Sequence, residues 1–521
     1  MVSKKTEMDN RPMLNLYPDS LGGKLQILCD LLEDSKFSGA FSAVYVLPSI
    51  YHSDLDRGFS VIDYDLEEKY ATREVLEELG RKKLYLKLDF VLNHASVASP
   101  QFQDLLEKGK KSEYSDFFIE WNEFWSGYGE MTEDGYIMPA QEYLDLMFFR
   151  KPELPFLMVE FADGSRAPYW NTFYQEIRAG EDYHTRYSGQ MDLNIKSPKV
   201  WDFYKETIEK LAGYGTKILR LDAFAYAPKE PGKRNFLNEP QTWEFLEQVN
   251  NLARGYDMAL LPEIHASYAE KRYETISNKG YLTYDFFLPG LVIDAIENQD
   301  GTYLELWARE QMQKEIYSVN MLGCHDGIPV LDLKGLLPKE RIEQMIALLV
   351  ERGGYVKDLH GSKNMYYQVN TTYYNALGEK EEALLLARAI QLFMPGKPQI
   401  WYLDLFAGTN DYEAVKAAKA GGHKEINRTN LTLTELKERL TWNVVLKQLE
   451  MLQFRNTFPA FGYHSRLSVE SKGAGMVFTW EKDGYVAELD VDFTDMSFSI
   501  TAKERGTQIG TNSENNGKRP W

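Results

Sequence analysis

Acidic residues lie at the ends of four strand-like apolar runs in this chain of 521 residues. The runs and the residues after them are Leu88-Asp89-Phe90-Val91-Leu92-Asn93-His94, Leu219-Arg220-Leu221-Asp222, Leu260-Leu261-Pro262-Glu263-Ile264-His265 and Leu322-Gly323-Cys324-His325-Asp326-Gly327. Carboxylates at successive strand ends, with His and Arg beside them, are what a barrel enzyme needs to break a glycosidic bond. A single run of this kind is weak evidence, but four in order favour that chemistry.

Retaining cleavage of a glycoside needs one carboxylate as the nucleophile and a second group as the acid and then the base. Asp222 is the better candidate for the nucleophile, because Arg220 projects from the same face of the strand and a guanidinium favours the ionised carboxylate. Glu263 follows an apolar run, which suits a partly desolvated acid. Asp326, beside His325, could bind substrate hydroxyls and stabilise an oxocarbenium-like transition state. Taken singly, each acid would more often be a strand-end cap or an ion-pair partner.

Histidines concentrate in the same segments. Only eight are present, and His94, His265 and His325 all fall inside the acidic runs. A lone histidine is more often structural, and three could instead be metal ligands. However, no two stand at ligand spacing on one helix, and binding of sugar hydroxyls explains them without a metal.

The net charge of −19 argues against nucleic acid and anionic membranes as partners, and it requires a local pocket of opposite sign for any anionic substrate. The two cysteines lie far apart and predict neither a disulfide framework nor a metal site. Residues 1–10 are polar, without an apolar signal core, and no apolar run approaches the roughly 18 residues that span a bilayer. We therefore expect a cytoplasmic protein that acts on small molecules and that could form a homodimer.

Short β-rich runs alternate with longer amphipathic stretches, which is typical of parallel βα units. Eight runs have strand character: Met13–Tyr17, Ser42–Pro48, Leu84–Phe90, Lys217–Asp222, Ala259–Glu263, Leu282–Phe286, Ser318–Leu322 and Lys397–Tyr402. The pattern predicts an α/β fold, a (β/α)8 barrel of the TIM type, whose chemistry sits at the carboxyl ends of the strands.

Two gaps interrupt the regular spacing and predict additions to the barrel. The chain between Asp89 and Asp222 is far longer than one βα unit needs, so residues 96–194 are expected to form a subdomain inserted after strand 3. A smaller insertion is expected after strand 7, over residues 327–377. Short alternating strands over residues 461–521 predict a C-terminal β-domain, which leaves residues 1–95 and 195–460 for the barrel.

The order and wording of the four acidic segments resemble those of the α-amylase superfamily, and the similarity to its sucrose phosphorylase family is closer still. Six further segments share that family's wording: Tyr17–Gly23, Asp56–Phe59, Arg220–Tyr226, His325–Ile328, Tyr367–Tyr374 and Ile426–Arg428. The resemblance extends over nearly the whole chain, to about residue 460.

The resemblance implies roles for individual residues. Asp222 would be the nucleophile, Glu263 the acid/base and Asp326 the transition-state stabiliser. The implied substrate-binding residues are Asp56, Phe59, His94, Phe173, Gln190, Arg220, Tyr226, His265, His325, Gln368 and Arg428, of which Phe59 and Phe173 form an apolar platform near the cleaved bond. Superfamily amylases often use calcium, which Asn93 is placed to serve, but the phosphorylase branch does not require it, so no cofactor or metal is expected.

A phosphorylase must admit phosphate to the glucosyl-enzyme, which calls for hydrogen-bond donors and a cation near the acceptor site. The resemblance implies that an Arg on the inserted subdomain and a Tyr on the loop after the seventh strand do this. Tyr367 matches the tyrosine, and Lys151, preceded by Arg150, stands in place of the arginine. Lysine binds phosphate as a point charge with less bidentate specificity. Outside this context the pair would be interpreted as solvated surface charge.

Three departures from the family's wording concern the acceptor side or its rim. The stretch Tyr174–Gly189 is longer than usual, Met365 stands where an acidic residue is expected, and Leu322-Gly323-Cys324 replaces the common Leu-Asp-Thr. The chemistry of the glucosyl donor is therefore better specified than the group that leaves.

The favoured interpretation is phosphorolysis of sucrose to α-glucose 1-phosphate and fructose, with retention through a β-glucosyl-Asp222 intermediate. Close alternatives release glycerol, glycerate or fructose 6-phosphate. Enzymes of the last kind tend to carry His at the loop tyrosine, so Tyr367 argues mildly against it. A hydrolase or transglucosidase of the superfamily and an inactive binding barrel are further alternatives. The last should lose the acids or gain a membrane anchor, and this chain shows neither feature.

Overall fold

A computed structural model describes residues 9–178, 182, 184–358, 366–418, 422–462 and 464–513. Its centre is a sheet of eight strands in which all neighbours pair in parallel. The strands are β1 Met13–Leu16, β2 Ala43–Val46, β3 Tyr85–Val91, β4 Thr216–Asp222, β5 Ala259–Pro262, β6 Thr283–Asp285, β7 Ser318–Met321 and β8 Lys397–Trp401. Around the barrel they pair in the order β5-β4-β3-β2-β1-β8-β7-β6. Between the two end strands, β5 and β6, the amide of Leu282 donates to the carbonyl of Leu260. The predicted barrel is confirmed.

Helices cover the outside of the barrel, because each presents an apolar stripe to the sheet. The longer ones are Arg73–Arg81, Pro198–Gly213, Gln241–Ala253, Leu288–Asn298, Thr302–Gln313, Lys339–Glu351, Glu381–Phe393 and Asn443–Thr457. Shorter helices are Gln26–Leu31, Arg272–Asn278, Tyr373–Ala376, Tyr402–Leu405, Tyr412–Ala417 and Leu433–Arg439. Helix Glu381–Phe393 is buried from Ala383 onward, because Asn443–Thr457 and the C-terminal sheet cover the sides that the barrel leaves open.

The interior of the barrel is polar beneath the strand ends, unlike the apolar filling that is usual in such folds. Buried side chains there are Asn15, Lys87, Asp89, Arg220 and Gln399. The ammonium of Lys87 donates to the Tyr284 hydroxyl and to Gln399 Oε1, each at 2.6 Å. These hydrogen bonds replace the water lost on burial and give the site above a rigid polar floor.

The chain between β3 and β4 forms small antiparallel sheets and short helices. Its strands are His94–Ser96, Gly129–Met131, Ile137–Pro139, Phe156–Glu160, Arg166–Trp170, Gln175–Ile177 and Tyr187–Asp192, and its helices are Pro100–Lys108, Trp121–Phe124 and Gln141–Leu144. An aromatic cluster around Trp121, Trp125 and Trp170 gives this part its own core. Strand Tyr187–Asp192 pairs with His94–Ser96, with Asp192 opposite His94, and so connects the insertion to the end of β3.

Two further sheets complete the described chain. After β7, strands Ile328–Pro329, Tyr355–Asp358 and Tyr366–Asn370 form an antiparallel sheet, and a hairpin of Tyr51–Leu55 and Ser60–Leu66 follows β2. The predicted C-terminal β-domain is confirmed as a five-stranded antiparallel sheet in sequence order: β9 Arg466–Lys472, β10 Gly475–Lys482, β11 Tyr485–Asp492, β12 Ser497–Glu504 and β13 Thr507–Ser513. Its Trp480 indole donates to the Phe393 carbonyl at 2.9 Å. Over the described ranges, no helix has both the length and the apolar character needed to cross a bilayer.

Candidate active site

A cavity of about 1370 Å³ opens at the carboxyl ends of the barrel strands. Asp222, Glu263 and Asp326 all line it, so the structure brings the three predicted acids together. The other predicted residues that line it are Asp56, Phe59, His94, Phe173, Gln190, Tyr226, His265, His325, Gln368 and Arg428. Arg220 lies just below the cavity wall.

Strand register places the first two acids side by side. Leu221 on β4 is opposite Pro262 on β5, and the amide of Glu263 donates to the carbonyl of Leu221 at 3.2 Å. Glu263 therefore stands level with Asp222 on the neighbouring strand, at a strand spacing of about 4.8 Å. Adjacent carboxyl groups of this kind suit a retaining double displacement.

Arg220 connects these acids through one guanidinium that is 2% exposed. Nη1 lies 2.9 Å from Asp222 Oδ1 and 2.5 Å from Asp89 Oδ1, and Nη2 lies 2.6 Å from Glu263 Oε1. Three carboxylates around one cation fix the orientation of both candidate catalytic groups.

Burial raises the pKa of Asp222 well above its ordinary value, and Glu263 and Asp89 add to the rise, whereas Arg220 opposes it. The predicted contact between Arg220 and Asp222 is present, and the guanidinium acts to lower the pKa of Asp222 as expected, but burial outweighs it. Removing the carboxylate from water costs more than one guanidinium restores, because that guanidinium is shared among three acids.

Asp326 belongs to a second charged cluster on the opposite side of the cavity. Lys424 Nζ lies 2.7 Å from Asp326 Oδ1, and Arg428 Nη2 lies 4.0 Å from the same oxygen. Arg428 also approaches Asp56 at 3.4 Å and donates from Nε to the carbonyl of His325 at 2.8 Å. The sequence interpretation missed Lys424, although it stands four residues before Arg428 and close to the quoted segment Ile426–Arg428.

Aromatic side chains form the wall between these charged clusters. The Phe59 ring stacks on His325 at 5.0 Å, and Phe173 packs against His94 at 5.1 Å and against Tyr226 at 5.3 Å. Apolar ring faces beside charged groups are suited to the two surfaces of a sugar, its C–H face and its hydroxyl edge.

The carbonyl of Phe59 holds this wall in place. It lies 2.9 Å from His94 Nε2 and accepts from Gln190 Nε2 at 3.2 Å. The turn before it needs Gly58, whose φ is +116° and whose Cβ position would lie 2.0 Å from the backbone nitrogen of Ser49.

The three predicted histidines have different electrostatic surroundings. Burial lowers the pKa of His94 and of His325, so both imidazoles are neutral at neutral pH. For His265, burial also acts to lower the pKa, but Asp332 and Glu263 outweigh it and raise the pKa overall. His265 Nδ1 lies 3.4 Å from Asp332 Oδ2, and its ring stacks on Phe286 at 3.9 Å.

On the acceptor side, the cation that lines the cavity is Arg150 and not the predicted Lys151. Lys151 donates from Nζ to Asn171 Oδ1 at 2.5 Å, does not line the cavity, and has its pKa lowered by burial to about 8. Arg150 lines the cavity instead, with its guanidinium 5.6 Å from the centre of the Phe173 ring and hydrogen-bonded to Tyr226.

Other predicted acceptor features are only partly within the described chain. Gln368 is buried and donates to Asn370 Oδ1 at 3.1 Å, while the side chain of Tyr367 and the whole of Met365 lie outside the described residues. In the long stretch Tyr174–Gly189, Tyr174, Glu176 and Arg178 line the cavity, and its tip also falls partly outside the described ranges.

Within the part of the chain that the structure describes, no three or more His, Cys, Asp or Glu residues are grouped so that they could hold a metal ion.

Comparison with known proteins agrees with this geometry. The family model for the α-amylase catalytic domain matches residues 34–347. Sucrose 6(F)-phosphate phosphorylase of Ilumatobacter coccineus is 52% identical over 96% of this chain and 97% of its own length, and sucrose phosphorylase of Streptococcus mutans is 33% identical over 95% and 98%. The crystal structure of sucrose 6F-phosphate phosphorylase from Thermoanaerobacter thermosaccharolyticum superposes with a TM-score of 0.86 at 35% identity, over 97% of this chain and 98% of that one.

The chain therefore belongs to the α-amylase family. Within that family it is a glucoside phosphorylase, an enzyme that acts on α-glucosides.

Proposed function

We propose that this enzyme is a retaining phosphorylase of sucrose 6F-phosphate, which it converts with inorganic phosphate to α-glucose 1-phosphate and fructose 6-phosphate. The observation that supports a phosphorylated leaving group is a set of cations at the cavity mouth, in a chain whose net charge is −19. The 52% identity to a sucrose 6(F)-phosphate phosphorylase supports the same choice.

Asp222 is proposed to attack the anomeric carbon while Glu263 protonates the leaving oxygen of the fructosyl unit. The bond to the leaving group breaks as the bond to Asp222 forms, which inverts the anomeric carbon once. Phosphate then attacks the same carbon, Asp222 leaves as a carboxylate, and Glu263 accepts the proton of the incoming phosphate. Two inversions give α-glucose 1-phosphate with net retention.

Asp326 and its cations are proposed to bind glucosyl hydroxyls. Lys424 and Arg428 neutralise the carboxylate in part, so that it binds hydroxyl donors without repelling an incoming anion. A neutral His94 donates from Nε2 to the Phe59 carbonyl and keeps only Nδ1, an acceptor, whereas a neutral His325 offers one donor and one acceptor nitrogen.

The mouth of the cavity favours a substrate that carries a phosphate group. Exposed or partly exposed cations there are Arg178, Arg234, Arg272 and Lys334. Arg178 and Arg272 pair with Glu176 and Glu239, whereas Arg234 and Lys334 have no ion-pair partner among the described residues. Unpaired cations at the rim of an acidic protein attract a dianion and have no comparable effect on neutral sucrose.

Arg150 is proposed as the cation that receives the attacking phosphate, since it lines the cavity where Lys151 does not. A guanidinium offers the planar, bidentate donors that suit a phosphate oxyanion better than an ammonium. Tyr367 keeps the phosphate-binding role that the sequence predicts.

A direct assay tests the proposal. The enzyme is incubated with sucrose or sucrose 6F-phosphate, each with and without phosphate, and glucose 1-phosphate and glucose are followed. We expect kcat/KM for sucrose 6F-phosphate to exceed that for sucrose by at least about tenfold, which corresponds to one good charged contact of about 1.4 kcal/mol. Free glucose as the main product irrespective of phosphate would contradict phosphorolysis itself.

Sucrose remains a second candidate, and it is favoured by Tyr367, the residue that resembles the loop tyrosine of sucrose phosphorylases. A higher kcat/KM for sucrose than for its phosphate ester would establish that substrate instead.

A further inference from the structure

Lys229 is a buried lysine behind the cavity wall, and its side chain is 1% exposed. Its ammonium lies 2.7 Å from Asp192 Oδ2 and donates to Asn93 Oδ1 at 2.9 Å and to the carbonyl oxygen of Tyr226. These three oxygens belong to three separate chain segments: the end of β3, the insertion and the loop after β4. No step of the proposed reaction uses this lysine.

The three acceptors around Lys229 suit a charged ammonium, and although burial lowers its pKa, Asp192 opposes that effect. An ammonium has three N–H donors, and three oxygens surround it. The Asn93 amide is oriented by its own Nδ2, which donates to Asp192 Oδ2 at 3.0 Å, so Oδ1 must be the acceptor toward Lys229. The Asp192 carboxylate is itself fully buried and needs a counter-charge.

The carboxylate of Asp192 connects Lys229 to one wall of the cavity. Asp192 Oδ1 accepts from the amide of Thr172 at 2.8 Å, and Oδ2 accepts from the Thr172 hydroxyl at 2.6 Å. Thr172 directly precedes Phe173, and Asp192 ends the strand that carries Gln190, so both cavity-lining side chains are anchored through it.

The other two acceptors of Lys229, Asn93 and Tyr226, belong to segments that contribute further side chains to the cavity. Asn93 directly precedes His94, whose Nε2 contacts the Phe59 carbonyl, and Tyr226 contributes its own side chain to the cavity. One buried ammonium thus connects the backbone positions of four side chains that surround the predicted glucosyl subsite.

We propose that Lys229 is a positioning residue of the glucosyl subsite, whose ammonium fixes the relative placement of the β3 loop, the insertion and the β4 loop. The proposal rests on the proposed glucosyl transfer, since the walls it positions are those that would hold the sugar. Lys229 contacts neither the acids nor the cations at the mouth, and it reaches Arg150 only through Phe173 and Tyr226, so its effect should be larger on sugar binding than on phosphate binding.

The test compares Lys229→Met and Lys229→Arg with the wild-type enzyme. The methionine removes the charge at similar volume, and the arginine keeps the charge but cannot place three donors at one point. We expect Lys229→Met to raise KM for both the glucoside and glucose 1-phosphate by about tenfold or more, as small displacements of binding groups commonly do. KM for inorganic phosphate should rise by a clearly smaller factor, about threefold or less, because Lys229 reaches Arg150 only indirectly and no charged contact to phosphate is lost. Lys229→Arg should show the same split with a smaller rise.

Lys397→Met is the matched control. Lys397 is also a buried lysine that donates to carbonyl oxygens, those of Asp9 and Arg11, but it lies at the start of β8, at the opposite end of the barrel. This variant should lower the melting temperature without moving any KM of the folded enzyme.

A folded Lys229 variant of either kind with unchanged KM for both glucosyl compounds overturns the proposal, even if its melting temperature falls. Equal increases in KM for sugar and phosphate overturn it as well, because they indicate general distortion. Binding of 1-deoxynojirimycin, a glucose-shaped amine, is measured in parallel by calorimetry and should weaken in step with the glucosyl KM. A wild type that binds this amine but performs no phosphorolysis contradicts the proposed function, whereas the ratio of binding constants still reports on Lys229.

Discussion

The acid that we propose as the nucleophile, Asp222, must be ionised to attack the sugar, yet it lies in a buried cluster. Burial raises the pKa of Asp222, so the ionised fraction falls as the pH drops through a value above the ordinary figure of about 3.9. The acid limb of the kcat/KM profile should therefore lie at a higher pH than a solvent-exposed aspartate would give. Activity is retained above that pKa and lost below it.

Arg220→Lys tests this assignment of the acid limb. Lysine cannot contact Asp222, Asp89 and Glu263 together, so it stabilises the Asp222 carboxylate less and leaves its pKa higher. The acid limb should move to higher pH, as measured by the pH dependence of kcat/KM. A limb that stays in place, or that moves to lower pH, would show that another group controls it.

The adjacent cations Arg150 and Lys151 form a natural matched pair. Arg150→Ala should raise KM for phosphate by about tenfold, consistent with one charged hydrogen bond of about 1.5 kcal/mol, with a much smaller change for the glucoside. Lys151→Ala should mainly lower the melting temperature, because its ammonium bonds to Asn171 inside the insertion. Steady-state kinetics on both variants separates them. A larger phosphate effect in Lys151→Ala would restore the interpretation made from the sequence.

At the scale of elements, a carboxyl group from the segment after β8 lies against the backbone at the end of β7. Gly323 stands where the family commonly has Asp, and a Cβ there would lie 2.4 Å from Asp404 Oδ2. Asp404, just after β8, accepts from the Gly323 amide at 2.9 Å, and burial raises its pKa to about 6. A carboxylate from the short helix after the neighbouring strand thus occupies the space that a side chain at position 323 would fill.

Exchange of these two residues tests that relationship. Gly323→Asp should destabilise the fold by about 3 kcal/mol or more, because it places a second carboxyl group against a buried one. Adding Asp404→Gly should recover at least about 1 kcal/mol of that loss, the coupling expected of residues in contact. Urea unfolding of the two single variants and the double variant measures it. If the changes in unfolding free energy of the two single variants simply add up in the double variant, residues 323 and 404 do not compete for the same space.

The elements that the sequence predicted are those in which local pattern and tertiary environment agree. Barrel strands such as β4 are apolar runs with one acid at the end, so the strand and its candidate catalytic residue were recognised together. Lys424 and Lys229 carry no such signal, since Lys424 lies in the short 3-10 helix Gly422–Asn427 and Lys229 in a loop, and both acquire partners only when distant segments meet. The choice between Arg150 and Lys151 depends on side-chain direction in a loop, which residue spacing does not determine.

At the scale of the whole molecule, the unpaired cations that the described residues place at the cavity mouth are opposite in sign to the net charge of the chain. A net charge of −19 repels phosphate esters at a distance, while Arg234 and Lys334 at the mouth attract them locally. Such attraction is screened by salt, with a Debye length of about 10 Å at 0.1 M.

Removing both mouth cations should therefore distinguish the two candidate donors. The double variant Arg234→Ala with Lys334→Ala should raise KM for sucrose 6F-phosphate by about tenfold, roughly 1.4 kcal/mol, and leave KM for sucrose unchanged. It should also reduce the dependence of the first KM on ionic strength. Replacement of the exposed Lys339, which pairs with Glu343 on an outer helix, is the control and should change neither. Parallel increases in KM for both donors would mean that the cations support the loops and do not select the substrate.

The most direct test of the account is to trap the glucosyl group on the enzyme. Glu263→Gln is mixed with α-glucosyl fluoride, whose leaving group needs no acid, and the protein is digested and examined by mass spectrometry. The account predicts one hexosyl unit on the peptide that contains Asp222, and its discharge by inorganic phosphate as α-glucose 1-phosphate. A hexosyl unit on another residue, no adduct at all, or discharge to free glucose at the same rate without phosphate would contradict it.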